Sequence, residues 1–308
     1  MRIKLILNPR SDNGRGHRYK ALLEAAARPY GSLDIVITER SRHATQLARQ
    51  AAAEGVDLVA AAGGDGTVSE IVNGLMQGEK ATTRLGIIPI GSGNDLAWSL
   101  GVSTEVETAV KTLFTGQPQA IDLARVTDDK GRVYIIDNNM GIGFDARVVL
   151  QTEKISRIHG FLKYMIATLQ TIAFYYDMPR LHLIFDEEEV TQKIFFVTFG
   201  LGKRHGGGYL ITPQARHHDN LIDTCTVTPI SRPTMLAMMP KVMKGMHVTH
   251  PAVTMRQNRR IVVKSDEPMI IHTDGEMFAY PQDDIHQVTV ASLPNAIEVM
   301  TPVSHKDK

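Results

Sequence analysis

One cysteine, Cys225, is all that this 308-residue chain contains. Internal disulfides and thiolate clusters are therefore excluded, and such cysteine use fits a reducing cytosol. An excess of either charge is lacking too. Lys+Arg 34 against Asp+Glu 33 leaves a formal net charge of +1, so bulk electrostatics do not point to nucleic acid. No run of about 18 apolar residues is present to span a bilayer. The opening stretch, Met1-Arg-Ile-Lys-Leu-Ile-Leu-Asn-Pro, has too short an apolar run for a signal peptide. The nearest approach to a membrane segment, Phe161–Tyr176, is short and interrupted by Lys163 and Gln170. Any contact with a membrane is expected at its surface. Internal repeats and low-complexity linkers are also missing.

What is present is enough chain for two cores. In the first 125 residues short apolar runs alternate with helical patterns. Ile3–Leu7, Leu33–Thr38, Asp57–Ala62 and Arg84–Ile90 read as strands, each ending at turn residues. Tyr19–Arg28, Ala44–Gly55 and Val68–Met76 read as helices, the last with one apolar face of Val68, Ile71, Val72, Leu75 and Met76. Thr104 and Glu107 have capping-box spacing and predict a further helix start. Alternation of this kind implies a parallel sheet with right-handed crossovers. After about Asp122 the texture changes. Val133–Asn138, Arg180–Phe185, Lys193–Phe199, Leu221–Val227, Arg260–Val263 and Met269–Thr273 read as strands in series, which predicts an antiparallel β domain. Helices are expected only at Ile155–Tyr176 and in a Met-rich run near Pro233–Gly245. The expected division is an α/β domain over 1–125 and a β-rich domain over 126–289, with the tail of about 290–308 returning to the first.

Two loops carry the chemistry. Gly63-Gly64-Asp65-Gly66-Thr67 follows a strand and opens a helix. Glycines there let backbone N–H groups approach phosphate oxygens, and the helix N-terminus adds partial positive charge. Thr67 offers a hydroxyl, and Asp65 a carboxylate for a metal or a hydroxyl. A tight strand-to-helix turn would use the same residue types, so this loop alone does not decide. The second loop, Gly91-Ser92-Gly93-Asn94-Asp95, sits in the same strand-to-helix position. Parallel strands share one rim, where ligands bind. Two such loops, with Asn8-Pro9-Arg10-Ser11 ending the first strand beside them, favour a phosphate site over coincident turns. A P-loop is ruled out, because Gly202-Lys203 is followed by Arg204. Gly141-Ile-Gly143-Phe-Asp-Ala146 meets a loose dinucleotide pattern but lacks a strand–helix–strand unit, so it reads as a bulged or tight structural segment.

With these residues in view, the chain resembles the diacylglycerol kinase catalytic domain of bacterial soluble lipid kinases. The resemblance rests on GGDGT at 63–67, GSGND at 91–95, Asn138 to Ala146, Gly206-Gly-Gly208, Pro213-Gln-Ala215, Asp219 and Asp274-Gly275-Glu276. It implies a phosphofructokinase-like α/β domain, a C-terminal antiparallel β-sandwich and an active-site cleft between them. It implies nucleotide contacts from Asn8, Thr38, Gly64 to Glu70, and Ser92, alongside the loop residues Gly63, Gly91 and Asn94. Glu276 matches the family's general base, with Asp274 beside it. Asp65, Asp95 and Asp122 match an acidic network around the catalytic magnesium. Asp219, with main-chain carbonyls of Arg216 and Leu221, matches a second, structural magnesium site, with Asn220 standing where glycine is common.

The expected activity is transfer of the γ-phosphoryl group of ATP, with Mg²⁺, to a lipid hydroxyl, diacylglycerol first. Phosphatidylglycerol and sphingoid bases stay open as acceptors. An NAD kinase shares only GGDGT, and a non-catalytic nucleotide or lipid sensor would not need Glu276. The expected partner is a lipid at a membrane surface, with a cytoplasmic chain peripheral to the inner membrane; a homodimer is left open. Phe161 and Tyr164 are the residues whose replacement is expected to report membrane contact, although packing of that helix on the β domain is the default reading. His247 and His250 read as loop residues rather than metal ligands. The Met-rich run reads as core or as a soft apolar surface.

Overall fold

The computed structural model describes residues 1–303, apart from residues 77, 79, 80, 156, 157 and 159 and the side chain of Asn13. The chain divides into two compact units, Met1–Asp122 with Pro294–Lys308, and Leu123–Leu293. The first is an α/β unit. It runs β1 (Ile3–Leu7), α1 (Ser11–Gly14), α2 (Tyr19–Ala27), β2 (Asp34–Ile37), α3 (His43–Ala53), β3 (Leu58–Gly63), α4 (Asp65–Leu75), β4 (Arg84–Pro89), α5 (Asp95–Ser99), α6 (Val106–Thr115) and the start of β5 (Gln117–Asp128). The sheet order is β2-β1-β3-β4, with every pair parallel. β3 is buried along its whole length, as a strand covered on both faces must be, which is why it reads as a continuous apolar run. Parallel pairing puts Asn8, Thr38, Gly63 and Ile90 at one rim of the sheet, each at or just past a strand end.

Two local expectations need correction here. α4 begins at Asp65 rather than Val68. Apolar periodicity registers only where the side chains are apolar, whereas the backbone has already turned helical at the Asp-Gly-Thr of the loop. The Thr104–Glu107 capping box does not form. α6 starts at Val106 without a side-chain cap, and Glu105 instead accepts a hydrogen bond from Thr108 Oγ1 at 2.6 Å.

The second unit is an antiparallel β-sandwich. After the end of β5 come β6 (Val133–Ile136), β7 (Asn139–Gly143), α7 (Phe144–Glu153), α8 (Gly160–Phe174), β8 (Arg180–Ile184), β9 (Glu189–Lys193), β10 (Phe196–Gly200) and β11 (Ile222–Val227). Then follow α9 (Arg232–Met243), β12 (Val253–Asn258), β13 (Arg260–Ser265), β14 (Ile271–Thr273), β15 (Glu276–Ala279) and β16 (Gln287–Thr301). One sheet has the order β12-β11-β10-β7-β14-β15. Strands β16, β13, β8 and β9 form the other, joined by β5 and β6. Met140, Ile142, Val197, Phe199, Ile222 and Ile271 of the first sheet enter the core between them, with Leu181, Leu183, Ile261 and Val263 of the second. The first sheet is covered on its other face too. There Cys225 and Val227 meet Ile172 of α8 and Met235 and Met238 of α9. Of β16, the far end pairs in parallel with β4 of the α/β unit at Val299↔Leu85.

The sequence reading misses β5, β7, β9, β12, β15 and α7. β5 carries Pro118, Asp122 and Arg125, which break an alternating pattern. α7 follows β7 directly, so Gly141–Ala146 does lead from a strand into a helix, contrary to expectation. The next strand, β8, belongs to the other sheet, and the neighbours of β7, β10 and β14, both pair with it antiparallel, so no dinucleotide unit results. The helix expected over Ile155–Tyr176 is found at Gly160–Phe174; residues 156, 157 and 159 lie outside the described residues.

Candidate active site

At the rim of the α/β unit the two glycine loops touch through their backbones. A Cβ on Gly91 would overlap the Cα of Gly64, so only glycine admits this approach. Asp65 bonds the loops together: its carboxylate oxygens accept the N–H groups of Asn94 at 2.7 Å and Asp95 at 2.6 Å. Asn94 stands at φ 56°, where an asparagine is tolerated, and its side chain exchanges two hydrogen bonds with the Gly91 backbone. From the β1 end, Asn8 Nδ2 donates to Thr67 Oγ1 at 2.9 Å. Asp65, Gly91 and Asn94 thus form one hydrogen-bonded set, and Asn8 with Thr67 a second beside it on the same loop. Ser92 stays exposed at its tip.

The remaining candidates on this unit have backbone duties. Glu70 accepts the N–H groups of Arg42 (2.8 Å) and Ala44 (3.1 Å), which caps α3. Thr38 is buried, its N–H on the Leu7 carbonyl at 2.9 Å. Asp95 and Asp122 are buried carboxylates, 4% and 1% exposed. Asp122 accepts the Asn295 N–H at 2.8 Å, where the chain turns at φ 48°.

On the sandwich unit, β14 and β15 form a hairpin whose two turn residues, Asp274 and Gly275, both have positive φ, 49° and 79°. That is the conformation Asp-Gly favours in a two-residue turn. Asp274 is buried, and its carboxylate accepts the N–H groups of Asp137, Asn138 and Asn139 at 3.3, 3.0 and 2.9 Å. Three backbone donors hold the charge of this group as a brace for the β6–β7 connection. Glu276, the first residue of β15, is exposed. Two carboxylates that look equivalent in sequence therefore have different settings. One is built in, and the other is presented. Against the turn stands Tyr164 of α8: a Cβ on Gly275 would lie 2.9 Å from its hydroxyl, and one on Gly206 would lie 3.1 Å from its ring. Sequence reasoning gave Tyr164 no place at this turn, since nothing in a helix apolar on both sides marks its inner face.

The Arg216–Leu221 segment turns at Asn220, φ 59°, and Asp219 Oδ1 accepts the Leu221 N–H at 3.1 Å. Behind it Asp223, not foreseen from the sequence, is 2% exposed. Burial, with repulsion from Asp219, pushes its carboxyl up to about 6. His217 is driven down to about 4 by burial and by His218, so it is a neutral neighbour. Gln257 Nε2 reaches both Asp223 oxygens only at 3.4 Å, and a carboxylate pair of this kind suits a hard cation with oxygen ligands. Among the described residues no group of three or more His, Cys, Asp or Glu side chains could hold a metal, so main-chain carbonyls or water would have to complete the shell.

Under the helical layer of the same sheet, Asp145 of α7 accepts Thr198 Oγ1 at 2.6 Å and lies 3.2 Å from His272 Nε2. Burial alone would raise its carboxyl, but His272 and Thr198 hold it below the ordinary range. His205 is pushed by burial down to about 4, and Cys225 is pushed by burial up to about 12, which makes it an inert core thiol.

Comparison with known proteins follows this division. Residues 2–126 match the family described as the diacylglycerol kinase catalytic domain, and residues 138–301 match the YegS C-terminal NAD kinase beta sandwich-like domain. A diacylglycerol kinase of Mycobacterium tuberculosis is 31% identical over 306 residues, covering 98% of this chain and 95% of its own. A Chromohalobacter salexigens protein named "Probable lipid kinase YegS-like" is 28% identical over 269 residues, 86% of this chain and 85% of its own. A solved diacylglycerol kinase structure from Bacillus anthracis matches with a TM-score of 0.75 at 19% identity, over 98% of this chain and 97% of that one. Yeast NADH kinase matches at 0.52 with 12% identity, over 100% of this chain and 85% of that one. At those identities the solved structures speak to the fold alone.

Proposed function

Since the chain belongs to the diacylglycerol kinase catalytic domain family and is a phosphotransferase, we propose that it moves the γ-phosphoryl group of ATP onto a lipid hydroxyl, converting diacylglycerol to phosphatidic acid. The acceptor is met at a membrane surface, on the cytoplasmic side. No described helix is long and apolar enough to cross a membrane.

Phosphoryl transfer needs positioning and charge compensation more than covalent chemistry. The N–H groups of Gly64, Gly66, Ser92 and Gly93 and the Thr67 and Ser92 hydroxyls go to the phosphates, and the N-terminus of α4 supplies partial positive charge. Glu276 accepts the proton of the lipid hydroxyl as its oxygen bonds to the γ-phosphorus. The bond from that phosphorus to the bridging oxygen breaks, and ADP leaves with the electron pair. Asp274 does not touch the acceptor; it fixes the turn that presents Glu276. Magnesium, when bound, offsets phosphate charge. Asp65, Asp95 and Asp122 form no three-carboxylate group that could hold it among the described residues, so one of them would serve only with phosphate and water oxygens, and Asp219, backed by Asp223, would hold the second ion with main-chain carbonyls.

The observation that carries this reading is the exposed Glu276 on a turn whose neighbouring carboxylate is consumed by three N–H groups. The test is a screen of γ-labelled ATP with magnesium against diacylglycerol, phosphatidylglycerol, sphingosine, ceramide and NAD. Label on diacylglycerol is expected. Label on NAD alone, or nucleotide binding with no transfer, would overturn the proposal.

A further inference from the structure

The second sheet, the one that does not carry Glu276, gathers cations on its outer face. Antiparallel register aligns Gln287 of β16, Lys264 of β13, His182 of β8 and Thr191 of β9 in one row across four strands, so their side chains share a face. Leu181 and Leu183, the neighbours of His182 on β8, enter the core, which makes the face of this row the outer one. Arg180 lies on it too, directly opposite Lys193 of β9. Like charges so placed cost stability. Arg180, Lys193 and Lys264 nevertheless take part in no ion pair among the described residues, in a chain with 33 aspartates and glutamates to offer.

Over this row the surface sinks into a basin of about 620 Å³, within the range of about 300–1,000 Å³ usual for small-molecule sites. The carboxylates around it are engaged elsewhere. One oxygen of Asp129 accepts the N–H groups of His286 and Gln287 at 2.9 and 3.0 Å, and Glu189 lies 3.4 Å from His182. Asp266, exposed, pairs with none of the three cations. His286 adds a further cation. Its ring nitrogens face an Asp284 carboxylate oxygen and the Ser265 carbonyl, each at 3.0 Å. Neither partner can donate, so both nitrogens carry hydrogen. Asp284, and after it the Ser265 carbonyl, accordingly raise the ring above the ordinary histidine range. Every side chain lining the basin is polar. It offers no aromatic face to a nucleobase and no apolar wall to an acyl chain. What it offers is a guanidinium and an ammonium, both suited to a phosphate, beside a hydroxyl and an amide suited to hydroxyl groups.

We propose that this basin binds a soluble polyol or sugar phosphate, its phosphate held by Arg180 and Lys264 and its hydroxyl groups by Thr191 and Gln287. Lys193, beside Arg180, adds attraction at longer range. The site lies wholly within the sandwich unit and shares no residue with the glycine loops or the Glu276 turn, so it stands independently of the lipid kinase reading.

The test is titration calorimetry of the full chain with glycerol 3-phosphate and with glucose 6-phosphate, against inorganic phosphate as reference. Salt at about 0.15 M limits non-specific attraction between exposed charges. Wild type is compared with Arg180→Gln, Lys264→Gln and Thr191→Val, all at exposed positions, so melting temperatures should barely move. Wild type should bind at least one ester more tightly than inorganic phosphate. Loss of either cation should weaken that binding at least tenfold, and Thr191→Val should weaken the ester while sparing inorganic phosphate. ATP affinity should stay at the wild-type value in all three, which separates this basin from the glycine loops. No heat with either ester, whether or not the chain floats with phosphatidylglycerol vesicles, would overturn the proposal. So would ester binding that survives both charge removals, or that is no tighter than binding of inorganic phosphate. Ester binding as expected, with no transfer to any lipid, would instead sink the kinase reading and leave this site standing.

Discussion

Replacing Asp274 by alanine removes the acceptor from three backbone N–H groups at once. The bonds from Asn138 and Asn139, at 3.0 and 2.9 Å, are well formed, whereas the one from Asp137, at 3.3 Å, is long. A hydrogen bond to a charged partner contributes about 1.5–3 kcal/mol, so the two good ones together are worth about 4 kcal/mol. Alanine at φ 49° adds on the order of 1 kcal/mol of backbone strain. A loss of about 4–5 kcal/mol is large beside the roughly 5–15 kcal/mol of a whole domain. Asp274→Asn keeps one acceptor oxygen and a side chain that tolerates positive φ, and should lose about half as much. Glu276→Gln, at an exposed position, should stay within about 0.5 kcal/mol of wild type. Urea unfolding with the midpoint and slope fitted separately measures all three. If Asp274→Ala unfolds at the wild-type midpoint, or Glu276→Gln proves the more destabilised, the assignment of one carboxylate to structure and the other to chemistry is wrong.

Three further outcomes are expected. Gly91→Ala forces a methyl into the Gly64 backbone, so ATP affinity measured by calorimetry should fall at least tenfold; unchanged affinity would remove the loop contact from the nucleotide site. Gly275→Ala strains a φ of 79° and crowds the Tyr164 hydroxyl. Adding Tyr164→Phe should recover part of the lost stability, with a coupling on the order of 1 kcal/mol in a double-mutant cycle, and strict additivity would show that the hydroxyl does not meet the turn. His205 and His217 have native values near 4 through burial, against 6.5 when unfolded. Between those values the unfolded chain binds more protons, so stability falls as pH drops from about 6.5 to 4, on the order of 3 kcal/mol per histidine when complete. Melting temperatures across that window should show a slope that His217→Gln reduces, and an unchanged slope would contradict the burial of this ring.

Much of the α/β unit is legible because its signals are local. β1 to β4 are short apolar runs that stop at turn residues, and α2 to α4 repeat apolar residues at helical spacing. The loops at 63–67 and 91–95 need only the rule that parallel strands share a rim. The sandwich is harder, because its order is set by pairing over long separations: β14 lies between β7 and β15, and β13 between β8 and β16. β5 hides behind Pro118 and Asp122, and β15 is four residues long. The split between Asp274 and Glu276 depends on where the β6–β7 backbone passes, which no spacing encodes. α8 shows the same limit: with apolar residues on both sides, periodicity cannot say that Phe161 and Tyr164 turn inward while Leu162 and Leu169 turn outward.

The central claim is that this chain phosphorylates a lipid hydroxyl with Glu276 as the base. The most direct measurement is a single-turnover transfer of labelled γ-phosphate from ATP and magnesium to diacylglycerol in mixed vesicles, run with wild type and with Glu276→Gln at matched nucleotide occupancy. Labelled phosphatidic acid in the wild-type reaction, and a rate at least a thousandfold lower (about 4 kcal/mol) in the variant with ATP still bound, is the predicted result. Full-rate transfer by Glu276→Gln, or bound ATP with no labelled lipid in either reaction, would contradict it.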